Sequence, residues 1–126
     1  MAKKNILIVE DHGLIAETLS ELLVNYLGQD YNPESFIRDS NQIVSELESY
    51  LSLNKKPDFV IYDGLNGEWE KVHRLLDEKG IKSCLFSGTD YSLFIAKKRG
   101  VDCFDKDEQY EEMIKHIRKT LETKVN

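Results

Sequence analysis

Two uninterrupted apolar runs, each ending in a carboxylate, constrain the fold of this chain more than any other feature. Phe59, Val60, Ile61 and Tyr62 run into Asp63 and Gly64, and Ile6, Leu7, Ile8 and Val9 run into Glu10 and Asp11. Apolar runs without polar alternation read as strands covered on both faces, which is the signature of a parallel sheet between two layers of helices. In open sheets of this kind ligands collect beyond the carboxyl ends of the strands, where the strand order reverses. Asp63 is therefore placed for chemistry, with Glu10 and Asp11 ending a second strand at the same edge.

Elsewhere the periodicity becomes helical. Leu14, Ile15, Leu19, Leu22, Leu23, Tyr26 and Leu27 recur at three- and four-residue intervals up to Gly28 and predict an amphipathic helix. Residues 29–34, with Asn32 and Pro33, read as a loop, and Ser35, Phe36, Ile37 and Arg38 as a short strand. Asp39 and Gln42 resemble a capping box ahead of the stripe Ile43, Val44, Leu47, Tyr50 and Leu51. After the loop of Gly64, Leu65, Asn66 and Gly67 comes a helix with Trp69, Val72, Leu75 and Leu76, closed by Gly80. Cys84, Leu85 and Phe86 predict a fourth strand ending at Ser87 and Gly88. Thr89 or Asp90 then caps a short helix with Leu93, Phe94 and Ile95 before Gly100. Val101, Asp102, Cys103 and Phe104 predict a fifth strand leading to Lys106, and Tyr110, Met113, Ile114, Ile117 and Leu121 a last helix.

This alternation of strand and helix predicts right-handed crossovers and an α/β sandwich with helices on both faces of one parallel sheet. The flavodoxin-like, doubly wound order 2-1-3-4-5 is the natural candidate for its five strands. The expected organisation is a single domain over residues 1–122 and a tail over 123–126.

Composition removes several classes of function. With 17 basic and 23 acidic residues the formal charge is -6, which disfavours a nucleic-acid surface and suits a protein that meets proteins or cations. No apolar run approaches a membrane span, and the start of the chain does not read as a signal peptide. Cys84 and Cys103 lie in apolar stretches at no metal-ligand spacing, as reduced core cysteines of a cytoplasmic protein do. His12, His73 and His116 read as surface residues. Neither a dinucleotide fingerprint nor a P-loop occurs.

If the strands lie side by side, Glu10, Asp11, Asp63, Ser87 and Lys106 converge at their ends. Crowded carboxylates repel, and a hard divalent cation relieves them; Mg2+ is favoured because it takes few protein ligands and keeps waters. A carboxylate beside such a cation can attack a phosphoryl group, while Ser87 hydrogen-bonds one phosphoryl oxygen and Lys106 neutralises another.

The order of these residues on alternating strands and helices resembles the receiver domain of two-component response regulators, over essentially the whole chain. The resemblance implies that Asp63 is the phosphoacceptor. It implies Mg2+ held by Glu10, Asp11, Asp63 and the backbone carbonyl of Leu65, and a phosphoryl group bound by Ser87 and Lys106. It further implies a histidine kinase or phosphotransfer protein as donor, and a downstream protein partner met through the last two helices. Such a domain is no enzyme beyond catalysing its own phosphorylation and dephosphorylation. The sequence departs from the family in its shorter intervals from Asp63 to Ser87 and from Ser87 to Lys106. It departs also at the switch aromatic: Phe104 stands two residues before Lys106 instead of three, so either Cys103 occupies the switch position or the strand end is distorted. The alternative function is an unphosphorylated interaction module of the same fold. A phosphate-ester hydrolase is disfavoured by Leu65, which stands where related phosphatases carry a second Asp.

Overall fold

A computed structural model describes residues 3–122. Five parallel strands, β1 (Lys4–Glu10), β2 (Tyr31–Ile37), β3 (Phe59–Tyr62), β4 (Ser83–Ser87) and β5 (Cys103–Asp105), form one sheet in the order β2-β1-β3-β4-β5. They alternate with α1 (Gly13–Leu27), α2 (Ile43–Leu53), α3 (Trp69–Glu78), α4 (Asp90–Lys98) and α5 (Tyr110–Glu122). This is the doubly wound flavodoxin-like order read from the sequence. The tail expected over 123–126 lies outside the described residues.

The two faces of the sheet carry separate cores. Leu7, Val9, Val60, Tyr62 and Leu85 point toward α2 and α3, where they meet Ile43, Leu47, Trp69 and Val72. Ile6, Ile8, Phe59, Ile61 and Cys84 point the other way, toward Leu19 and Leu23 of α1 and Met113 and Ile117 of α5. The absence of polar alternation in β1 and β3 thus has its cause in burial on both faces. Each fully buried aliphatic or aromatic side chain contributes about 1.5–3 kcal/mol by leaving water.

Several local expectations are corrected. The segment read as a loop around Pro33 belongs to β2, with Pro33 in register with Ile6. A proline is tolerated there because β2 is an edge strand with only one neighbour to satisfy. The capping box of Asp39 and Gln42 does not form: the Gln42 amide donates to the Asp39 carbonyl at 2.9 Å in a turn, and α2 starts at Ile43. Strand β5 begins two residues later than expected, because Val101 is bound into the end of α4. Its amide donates to Ala96 O at 2.8 Å and that of Gly100 to Lys97 O at 3.2 Å, with Gly100 at φ 73°, a Schellman motif. His73 and His116 are half-buried, against the expectation of surface residues. His73 Nδ1 lies 3.0 Å from the Tyr62 hydroxyl, and His116 packs against the rings of Phe59 and Phe104.

Candidate functional site

The doubly wound order has its reversal between β1 and β3, and the acidic residues lie at that point. Glu10 is the last residue of β1, with Asp11 beyond it, and Asp63 follows β3. One oxygen from each carboxylate can be chosen so that all three lie within 4.8 Å of one another, the only such cluster among the described residues. Lys106, just past β5, spans two of them: Nζ lies 2.6 Å from Asp63 Oδ1 and 3.2 Å from Glu10 Oε2. Its side chain can lean back over the sheet because its amide is pinned to the Ser87 carbonyl at 3.0 Å.

Glu10 is 3% exposed, and its Oε1 accepts the amides of Asp11 and His12 at 3.2 and 3.3 Å. Burial, together with the charge of Asp63, raises its pKa to about 7 despite Lys106. Burial pushes the Lys106 ammonium down, but hydrogen bonding and attraction to Asp63 and Glu10 outweigh it and leave the pKa raised. One ammonium is thus shared between two of the three carboxylates, and burial of Glu10 beside Asp63 outweighs it there.

On the far side of Asp63 the backbone turns tightly. Leu65 and Asn66 have φ of 51° and 53°, the left-handed region that is unusual for a leucine, in a single 3-10 turn over Leu65–Gly67. The Leu65 amide approaches Asp63 Oδ2 at 3.4 Å, and the Leu65 carbonyl accepts the Glu68 amide at 3.0 Å, leaving one lone pair free. A cleft of about 510 Å³ opens beside Asp11 and Asp63, with Trp69 in its lining. The only tryptophan of the chain is thus placed to report on the site.

Ser87 ends β4 at 1% exposure, and its Oγ accepts the Thr89 amide at 3.1 Å. Thr89 occupies the capping position of α4, but no side chain caps that helix. In β5 Cys103 lies on the α4 side, with Sγ 3.9 Å from Leu93 O, whereas Phe104 packs toward α5. Sequence reasoning brought Glu10, Asp11, Asp63, Ser87 and Lys106 together at one end of the sheet. It did not single out Ser92, which lies on the first turn of α4 and lines the cleft beside Asp63.

No family model and no curated protein matches the chain. Solved structures do. The chain superimposes on the response regulator receiver protein from Burkholderia phymatum with TM-score 0.74 at 18% identity, covering 98% of both chains. It matches the non-phosphorylated HemR receiver domain from Leptospira biflexa with TM-score 0.66 at 20% identity, again over 98% of both. It also matches a chain of the complex between the P1 domain of CheA3 and CheY6 from R. sphaeroides, with TM-score 0.66 at 15% identity, over 98% of this chain and 100% of that one. The chain has the fold of a response regulator receiver domain. In this receiver fold the acidic cluster sits at the reversal point of the sheet, where an open α/β sheet places its ligands. Among the described residues no helix is long and apolar enough to cross a membrane.

Proposed function

We propose that this chain is a receiver domain that takes a phosphoryl group onto Asp63 from the phosphohistidine of a histidine kinase or phosphotransfer protein, and passes the signal on by protein contact. The observation that carries this reading is the cluster of Glu10, Asp11 and Asp63 with Lys106 against Asp63.

The donor set fits Mg2+. It consists of carboxylate oxygens from Glu10, Asp11 and Asp63, hard oxygen donors gathered at one point, to which the Leu65 carbonyl would add a fourth ligand. When bound, the cation supplies charge screening between Asp63 and the incoming phosphoryl oxygens. In the transfer a carboxylate oxygen of Asp63 attacks phosphorus, the bond from phosphorus to the donor imidazole nitrogen breaks, and the imidazole leaves with that electron pair. Lys106 stabilises the charge on one phosphoryl oxygen, and the Ser87 hydroxyl donates to another. A protein donor has a surface to meet: Leu14 and Ile15 of α1 are 68% and 41% exposed and line, with Lys106, an apolar groove of about 510 Å³.

Intact-mass spectrometry after incubation with acetyl phosphate and Mg2+ tests the reading. The expected result is one phosphoryl adduct that requires Mg2+ and is lost in Asp63→Asn. No adduct from acetyl phosphate or from a phosphohistidine protein would favour the unphosphorylated interaction module.

A further inference from the structure

Among the described residues β2 has a single neighbour, β1, so its outer edge is open. The ladder to β1 fixes which backbone groups are left over. The Lys4 amide donates to the Asp30 carbonyl at 2.9 Å and the Arg38 amide to the Glu10 carbonyl at 3.3 Å, with unbroken register between them. Even-numbered residues of β2 therefore face β1, and the backbone polar groups of Pro33, Ser35 and Ile37 point outward. Such an edge is a template for a further strand.

Apolar side chains ring this edge on both faces of the sheet. On one face Ile37 is exposed beside α1, where a Cβ added at Gly13 would lie 3.8 Å from its Cδ1. Val24 is exposed on the same side of α1, about three turns further along. On the other face α2 reaches β2 through Glu46, 2.9 Å from Arg38, and through the Tyr50 hydroxyl, which donates to Glu34 at 3.3 Å. Leu53, 83% exposed, continues that side of α2. None of the three lines the groove beside Lys106.

The edge fits a second copy of itself in one antiparallel register, about a two-fold axis at Ser35. There each Ser35 N–H meets the Ser35 carbonyl of the other copy, and each Ile37 N–H meets the other Pro33 carbonyl. Pro33 has no N–H to give, and the group it would face is already satisfied, because the Arg38 guanidinium donates to the Ile37 carbonyl at 2.8 Å. Moving the axis to Phe36 sets the Ser35 N–H against that occupied carbonyl, and moving it to Glu34 sets the Ser35 carbonyl against the proline ring. Charge selects the same register: Arg38 lies opposite Asn32 of the second copy, with Asp30 and Glu34 of that copy on its diagonals.

We propose that this chain forms a two-fold dimer through β2, its two sheets joined edge to edge and Val24, Ile37 and Leu53 covered by the second copy. The groove of Leu14 and Ile15 lies on the α5 side of α1, away from the axis, so the dimer leaves it open and is independent of the phosphoacceptor reading.

Sedimentation velocity from about 1 µM to about 1 mM tests the proposal, with wild type expected to pass from monomer to dimer within that range. Ile37→Lys keeps every backbone bond and places a cation at an exposed position; it should weaken the dimer by about tenfold or more with an unchanged circular dichroism spectrum. Ser35→Pro removes an outward N–H and no bond to β1, and should act alike. Amide exchange followed by NMR locates the contact. The Ser35 and Ile37 amides should gain about tenfold in protection as the dimer forms, while the Arg38 amide, bonded to Glu10, is equally protected throughout. A wild-type chain that stays monomeric over the whole range overturns the proposal and leaves the edge to a strand of another protein. A dimer that withstands Ile37→Lys, or that forms without protecting Ser35 and Ile37, overturns it as well.

Discussion

Helices α3 and α1 carry similar sequence signals and meet different fates. All four apolar residues of the α3 stripe, Trp69, Val72, Leu75 and Leu76, are buried beneath the shell of charged residues that flanks them. In α1 the buried set is Ala16, Leu19, Leu23 and Leu27, while Leu14, Ile15 and Tyr26 are 68%, 41% and 50% exposed. The apolar positions of α3 fit one angular sector that the sheet and α2 can cover. Those of α1 spread wider than β2 and α5 can cover, and part of the surplus, Leu14 and Ile15, faces solvent in the groove that Lys106 lines. Apolar spacing thus establishes that a helix exists. How broad the apolar arc is relative to its neighbours decides what stays outside.

The largest effect that tests this contrast is truncation of the two helices. Trp69→Ala removes a side chain that is 3% exposed and should destabilise the protein by about 3–5 kcal/mol in urea unfolding. Leu14→Ala, on the exposed arc of α1, should stay within about 0.5 kcal/mol. Comparable losses from both would break the distinction.

The strand that feeds α1 adds a pH dependence. Glu10 has a folded pKa of about 7 against an ordinary value of 4.5, so the fold favours its protonated form. That contribution is fully present below pH 4.5 and is lost as pH rises through about 7, an effect of at most about 3 kcal/mol. Unfolding of wild type and Glu10→Gln without divalent cations at pH 5 and 8 reads it as a difference: the variant should gain on wild type as pH rises. A parallel pair of curves would show that Glu10 is not the group held protonated.

Two tyrosine-to-phenylalanine changes sharpen the contrast with opposite signs. On the α3 face the Tyr62 hydroxyl is fully buried and bonded to His73, so Tyr62→Phe should cost about 1 kcal/mol. On the α1 face the Tyr110 hydroxyl is buried without a hydrogen-bond partner among the described residues, and burial pushes its pKa up to about 12. Removing an unpaired hydroxyl relieves a desolvation penalty, so Tyr110→Phe should be neutral or stabilising by up to about 1 kcal/mol. Thermal or urea unfolding of the two variants decides, and a loss at Tyr110 as large as that at Tyr62 would mean its hydroxyl is satisfied.

What was legible in the sequence follows the range of the physics involved. Burial on both faces of β1 and β3 leaves a local trace in Ile6 to Val9 and Phe59 to Tyr62, and carboxylates at their ends point to the reversal of a parallel sheet, so the fold and the gathering of Glu10, Asp11, Asp63, Ser87 and Lys106 could be read. Pro33 misled because its tolerance depends on β2 lying at the sheet edge, a property of the assembled sheet. Val101 misled because its amide was claimed by the end of α4.

The exposed arc of α1 offers the change with the smallest effect on stability and the sharpest effect on function. Leu14→Ser alters a side chain that is 68% exposed, so unfolding should be unchanged within about 0.5 kcal/mol. The residue nevertheless lines the groove that runs to Lys106, next to Asp63. A small donor such as acetyl phosphate does not need that groove, whereas a protein donor has to cover it to bring a phosphohistidine within reach of Asp63. Labelling by acetyl phosphate should therefore be preserved in Leu14→Ser. Transfer from a phosphohistidine protein should fall by about tenfold, the loss expected when a contact worth about 1.4 kcal/mol is removed from an interface. Equal rates from the protein donor for wild type and variant would make the exposed arc of α1 bare surface, and the comparison with α3 would then concern packing alone.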